Sequence, residues 1–162
     1  AAVAIAEYIS GDVDSFAALM NQEAAAMGAT RSHFVNPNGL PDENHYTCVY
    51  DMYLIFSNAV KNDTFVSIIG TTSYDVTYTD ASGEAVTHTW ENTNQYLTGN
   101  ATTPDGFQIV GGKTGTTGEA GYCLVLYSYN PSGQPIISIV FKADGKSNLY
   151  LLMNEMLQGF AI

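Results

Sequence analysis

An α+β fold, with an antiparallel sheet covered by helices on both faces, is what this sequence predicts. Three observations lead there. Apolar residues repeat at helical spacing through the first seventy positions, strict alternation replaces them near position 74, and nearly unbroken apolar runs appear after position 120. A run such as Leu124-Val125-Leu126, or Ile136 to Phe141, belongs to a strand buried on both sides, so helices before and after it must supply the cover.

The elements follow in order. Ala1 to Ile9 reads as an apolar helix that Ser10-Gly11-Asp12 interrupts, with Asp12 placed to cap the next one. That second helix carries Phe16, Leu19, Met20 and Met27 as its apolar stripe and ends at Gly28. Loop signals fill Arg31 to Tyr46. A third helix spans about Cys48 to Val60 on Met52, Ile55, Phe56 and Val60, and Asp63 is expected to cap a short fourth helix bearing Phe65, Ile68 and Ile69.

Tyr74, Val76 and Tyr78, then Val86, His88 and Trp90, alternate with polar residues around Asp80-Ala81-Ser82-Gly83, which is a β-hairpin pattern. Strands are expected at Phe107 to Lys113, Tyr122 to Tyr129 and Ile136 to Lys142, with a type I turn at Asn130 to Gly133. Leu149, Leu152, Met153, Met156, Leu157 and Phe160 give the closing helix its apolar face. The organisation is one domain over 1–162: a mainly helical part (1–70), the hairpin (73–91), and sheet strands with a final helix (106–162).

Composition removes whole classes of function. The net charge is −11, with five bases: Arg31, Lys61, Lys113, Lys142 and Lys146. No basic stripe exists to neutralise phosphates, which argues against nucleic acid and against an anionic lipid surface. His33, His45 and His88 lack metal-ligand spacing and read as structural or surface residues, so no metal or other cofactor is expected. Cys48 and Cys123 show no C-x-x-C spacing and read as two buried free thiols, with a disulfide left to geometry. Asp42-Glu43 reads as a solvated turn, and Asp51 as a structural hydrogen-bond acceptor on its helix.

The stretch Gly111-Gly112-Lys113-Thr114-Gly115-Thr116-Thr117-Gly118 carries the chemistry. Glycines let a ligand approach the backbone, Lys113 supplies positive charge, and Thr114 and Thr116 supply hydroxyls, a set suited to a carboxylate. A phosphate-binding loop is the nearest decoy. Gly106 to Thr114 misses the required spacing by one residue, its interior reads as strand, and no apolar helix follows.

Lys113-Thr114-Gly115 is also the K-T-G triplet of β-lactamases and penicillin-binding proteins. Its company matters more than the triplet. Phe16 to Asn21, Ser32 to Leu40, His45 to Thr47, Tyr50 to Met52 and Gly112 to Thr117 with Ala120 to Tyr122 resemble, in order, the low-molecular-weight penicillin-binding proteins that act as serine-type D-Ala-D-Ala carboxypeptidases. The resemblance implies a β-lactamase/penicillin-binding-protein-like fold lacking its N-terminal strands and nucleophile helix. It implies Lys113 as a catalytic residue, and Thr114, Gly115 and Thr116 as substrate-binding residues. It implies a peptidoglycan stem peptide ending in D-Ala-D-Ala as substrate, β-lactams as ligands, and work outside the cytoplasmic membrane.

Two of the family's three motifs are not found. No S-x-x-K occurs, since Ser57–Lys61 and Ser138–Lys142 are spaced four apart, and Ser10-Gly11-Asp12 only imitates S-x-N, in the wrong order relative to its helix. Thr93 stands where some relatives place an arginine, and Thr116 where some place histidine. The chain, which starts without methionine, therefore reads as a C-terminal piece, inactive alone, because losing the nucleophile of a serine hydrolase costs about 10⁶ in turnover. Its 136–142 strand is expected to pair with the missing N-terminal segment or with another copy. The rival readings are a non-catalytic wall-peptide-binding module with the same fold, and a β-lactamase, which the Asn36 to Leu40 and His45 to Met52 phrases disfavour.

Overall fold

The structure, a computed structural model, describes residues 1–161; Ile162, the end of the expected domain, lies outside the described residues. Helices α1 (Ala2–Ser10), α2 (Val13–Ala26), α3 (Val49–Ala59) and α4 (Asp63–Gly70) precede a hairpin of β1 (Ser73–Thr79) and β2 (Ala85–Glu91). A single turn, α5 (Gln95–Thr98), leads to β3 (Gln108–Thr117), β4 (Gly121–Tyr129) and β5 (Pro135–Ala143), and α6 (Lys146–Gly159) closes the chain. The strands form two separate antiparallel sheets, β1-β2 and β3-β4-β5.

The three-stranded sheet is covered on both faces, as its unbroken apolar runs require. On one face Leu124, Leu126 and Val140 pack with Leu149, Tyr150, Met153 and Leu157 of α6. On the other, Val125 and Ile139 pack with Phe56 of α3 and Ile69 of α4. Alternate residues of β4 thus go to opposite cores, which fixes the register of the strand.

Several local expectations need correction. The α4 cap is Asn62, not Asp63: the Asn62 carboxamide accepts the Thr64 and Phe65 amides at 2.9 and 3.1 Å, while Asp63 is already in the first turn. Ile68 points to solvent, while Ile69 is buried in the core and Phe65 packs against it. In α6 Leu152 is exposed, as is Phe160 just past its end, and the aromatic that is buried is Tyr150. In α2 the buried positions are Ala17 and Ala24, whereas Phe16, Leu19 and Met20 border an open apolar groove. Cys48 and Cys123 are free but only half-buried.

Other expectations hold in detail. Asp12 accepts the Ser15 amide at 2.7 Å and caps α2. Asp51 is buried and accepts the Arg31 amide at 2.7 Å and the Ser32 hydroxyl at 2.8 Å. Burial opposes its charge, but the bonds from Ser32 and Arg31 outweigh it and hold the carboxyl below the ordinary carboxylate range. This anchor ties the 31–47 loop to α3.

Candidate functional site

The K-T-G triplet lies in the second half of β3. That half pairs with β4 on one side only, Lys113 opposite Val125, Thr114 opposite Leu124, Gly115 opposite Cys123 and Thr116 opposite Tyr122. Among the described residues no strand takes the other edge of β3.

The glycines of this stretch do different jobs. A Cβ on Gly111 would stand 2.6 Å from the Ile69 carbonyl, and one on Gly112 would strike the Val125 carbonyl. Both serve packing: they let α4 and β4 close on β3. Gly115 has nothing within 4 Å of where its Cβ would be, so it alone in the triplet leaves room for a ligand.

A cavity of about 880 Å³ opens beside this edge. Lys113, Thr114, Gly115 and Thr116 all line it, so the structure brings the four sequence-derived residues together. The opposite wall comes from the 36–40 loop with Met20, His45 and Met52. The Lys113 ammonium donates to the Thr114 carbonyl at 2.6 Å, and no carboxylate pairs with it among the described residues. The Thr114 and Thr93 hydroxyls share a hydrogen bond of 2.5 Å. Thr93 therefore fixes one hydroxyl of the site from the loop after β2.

Lys146 is the residue that sequence reasoning missed. It begins α6, lines the same cavity, and adds a second cation at the positive end of a helix. Its rarity was visible in the sequence, but nothing in the local pattern ties the start of α6 to the K-T-G edge. Ser10, by contrast, does not line the cavity, and its hydroxyl is buried without a hydrogen-bond partner. Among the described residues no cluster of His, Cys, Asp or Glu could hold a metal ion.

An edge strand with free backbone groups, an unobstructed glycine, hydroxyls and two nearby cations has the chemistry to hydrogen-bond an extended backbone and to offset negative charge. Residues 1–145 match the family model described as D-alanyl-D-alanine carboxypeptidase. The chain belongs to that family.

Similarity to individual members runs through nearly the whole chain. It is 34% identical over 158 residues to the D-alanyl-D-alanine carboxypeptidase DacF of Bacillus subtilis, covering 97% of this chain and 38% of that protein. It is 31% identical to a D-alanyl-D-alanine carboxypeptidase of a Streptomyces species, over 93% of this chain and 50% of the other. The solved Streptomyces DD-transpeptidase superposes with a TM-score of 0.79 at 31% identity, covering 91% of this chain and 55% of that one. DacD from Francisella tularensis superposes at 0.80, with 25% identity, over 97% and 47%. The chain thus has the DD-peptidase fold and spans about half, or less, of these relatives' lengths.

Proposed function

We propose that this chain forms the substrate-docking half of a D-Ala-D-Ala carboxypeptidase that trims peptidoglycan stem peptides outside the cytoplasmic membrane. The observation that carries the reading is the open K-T-G edge of β3 facing a cavity that also holds Lys146. An extended stem peptide adds alongside Lys113 to Thr116 as an edge strand, and Gly115 lets its backbone approach. The terminal carboxylate lies toward the cations. Lys113 stabilises the charge that develops when a serine attacks the penultimate carbonyl, and β-lactams occupy the same edge.

The 162 residues hold no S-x-x-K, so in this reading the acylating serine comes from a segment outside them. Two surfaces fit such a segment. The outer edge of β5 is unpaired among the described residues, and the groove at Phe16, Leu19 and Met20 is apolar. A second copy pairing through the 136–142 edge is the alternative use of that strand.

Labelling with a fluorescent penicillin tests the reading. The parent protein should carry a covalent label on a serine outside residues 1–162, and the isolated 17.4 kDa chain should carry none. Lys113→Met in the parent should slow acylation by roughly 10²-fold or more, the scale of losing one charge-stabilising group. An unlabelled parent that still binds a D-Ala-D-Ala peptide would instead make it a non-catalytic wall-peptide-binding module.

A further inference from the structure

The β1-β2 ribbon leaves an apolar face uncovered. Tyr74, Val76 and Tyr78 share that face with Val86, His88 and Trp90, with Tyr74 directly opposite Trp90 and Tyr78 opposite Val86. Tyr74, Tyr78 and Trp90 are 61%, 48% and 55% exposed. The reverse face is polar and internally bonded, through Thr77 to Thr87 at 2.9 Å and Thr89 to Asp75 at 2.6 Å. An exposed row of rings this large calls for an occupant.

The charge pattern selects it. Asp75, Asp80, Glu84 and Glu91 lie in or between the two strands, and no Lys or Arg occurs between Lys61 and Lys113. Two such ribbons would repel one another, which disfavours a second copy, and an anionic bilayer would be repelled as well. Yet the aromatic face itself carries no Asp, Glu, Lys or Arg. A neutral, ring-bearing polymer is the partner that matches both facts.

The ribbon also starts at the candidate site. Asn92, just after β2, donates its amide to the Thr72 carbonyl and its carboxamide to the Thr71 carbonyl, both at 2.8 Å, and Thr93 bonds Thr114. From that fixed base each seven-residue strand runs about 24 Å. A pentapeptide lying on the K-T-G edge extends at most about 17 Å, so whatever bears the peptide stays within reach of the ribbon.

We propose that this face binds the uncharged N-acetylated glycan strand from which the stem peptides hang. The inference rests on the D-Ala-D-Ala reading of the neighbouring site. The C–H faces of the sugar rings stack on Trp90, Tyr74 and Tyr78, whose negative ring faces attract them, and the tyrosine hydroxyls bond the sugar hydroxyls.

Trp90 is the only tryptophan in the chain, so its emission reports on this face alone. Titration with a soluble N-acetylglucosamine oligomer should give a saturable blue shift. Tyr74→Leu, which keeps an apolar strand residue but removes the ring, should weaken binding about tenfold, the equivalent of one aromatic contact. Tyr78→Ala should do the same, and Thr77→Ala on the reverse face should change nothing. No shift with the oligomer overturns the proposal. So does a shift given only by phosphatidylcholine vesicles, or one that follows protein concentration without any oligomer. A parallel titration with a D-Ala-D-Ala peptide, followed at the Gly115 amide by NMR, separates the two readings. Peptide binding without glycan binding sinks the ribbon assignment alone; glycan binding without peptide binding retains it and sinks the site.

Discussion

The two halves of the molecule bury their apolar residues differently. In the sheet and α6, the largest side chains are the most hidden: Leu124, Leu126, Met153 and Leu157 are all 0% exposed. In α1 and α2 the buried residues are alanines, Ala6, Ala17 and Ala24, while Ile5, Tyr8, Ile9 and Leu19 face outward. The first region is a finished core. The second is a pair of helices packed through small residues, with its bulky apolar side turned to solvent or to the open groove. Apolar periodicity marks an apolar face, and what covers that face is a separate matter.

The largest effect should come from truncating the finished core and sparing the open half. Met153→Ala removes a fully buried side chain from among Leu124, Leu126 and Leu157 and should lower unfolding stability by about 2–5 kcal/mol in denaturant titration. Leu19→Ala, on the groove, should cost less than about 1 kcal/mol, because most of the transfer term is absent at a site still open to water. Equal losses would mean that α2 is covered in solution, by a second copy or a further segment.

The same contrast between packed and open recurs within β3. Gly111→Ala forces a methyl against the Ile69 carbonyl, which belongs to backbone and cannot swing aside, so it should cost about 1–3 kcal/mol by thermal unfolding. Gly115→Ala meets no neighbour and should leave the unfolding midpoint unchanged, while weakening D-Ala-D-Ala peptide binding. If Gly115→Ala binds the peptide as tightly as the parent sequence, the peptide does not lie on this edge.

These regions also differ in how far the sequence could reveal them. The doubly covered sheet was legible, because Leu124-Val125-Leu126 cannot alternate between core and water. The K-T-G segment was legible as a unit, since its residues are consecutive and share one strand. Lys146 was not, because the pairing of α6 with β5 that brings it to the cavity is tertiary. The apolar face of α6 was read from spacing alone, which admits Leu152 as readily as Tyr150; only the position of β4 decides between them. Asn62 and Asp63 can both cap a helix, and the choice is made by one residue of phase. The divided roles of Gly111 and Gly115 were invisible, since an absent side chain says nothing of what stands beside it.

The smallest expected effect concerns the loop that forms the far wall of the cavity. His45 Nδ1 accepts the Val35 amide at 3.1 Å, and its ring meets Phe34 edge-on at 5.6 Å. An acceptor nitrogen carries no proton, so this ring is neutral with its hydrogen on Nε2. Burial pushes its pKa below the ordinary histidine value; Asp42 pulls upward and His33 pushes down further. A pKa lower in the folded state than in the unfolded chain means that the unfolded chain binds the proton more readily. The contribution to stability is therefore complete above the unfolded value near 6.5 and fades as pH falls through the folded one. Amide exchange at Val35, corrected for intrinsic rates, should accelerate as pH is lowered from about 7 toward 5, while exchange in β4 does not. His45→Gln, which offers a neutral carbonyl acceptor in place of the ring, should flatten that dependence. A Val35 amide whose protection is unchanged across this range would show that the loop is held without the His45 bond, by Asp51, the Asn21–Phe34 pair and the His33–Tyr46 bridge.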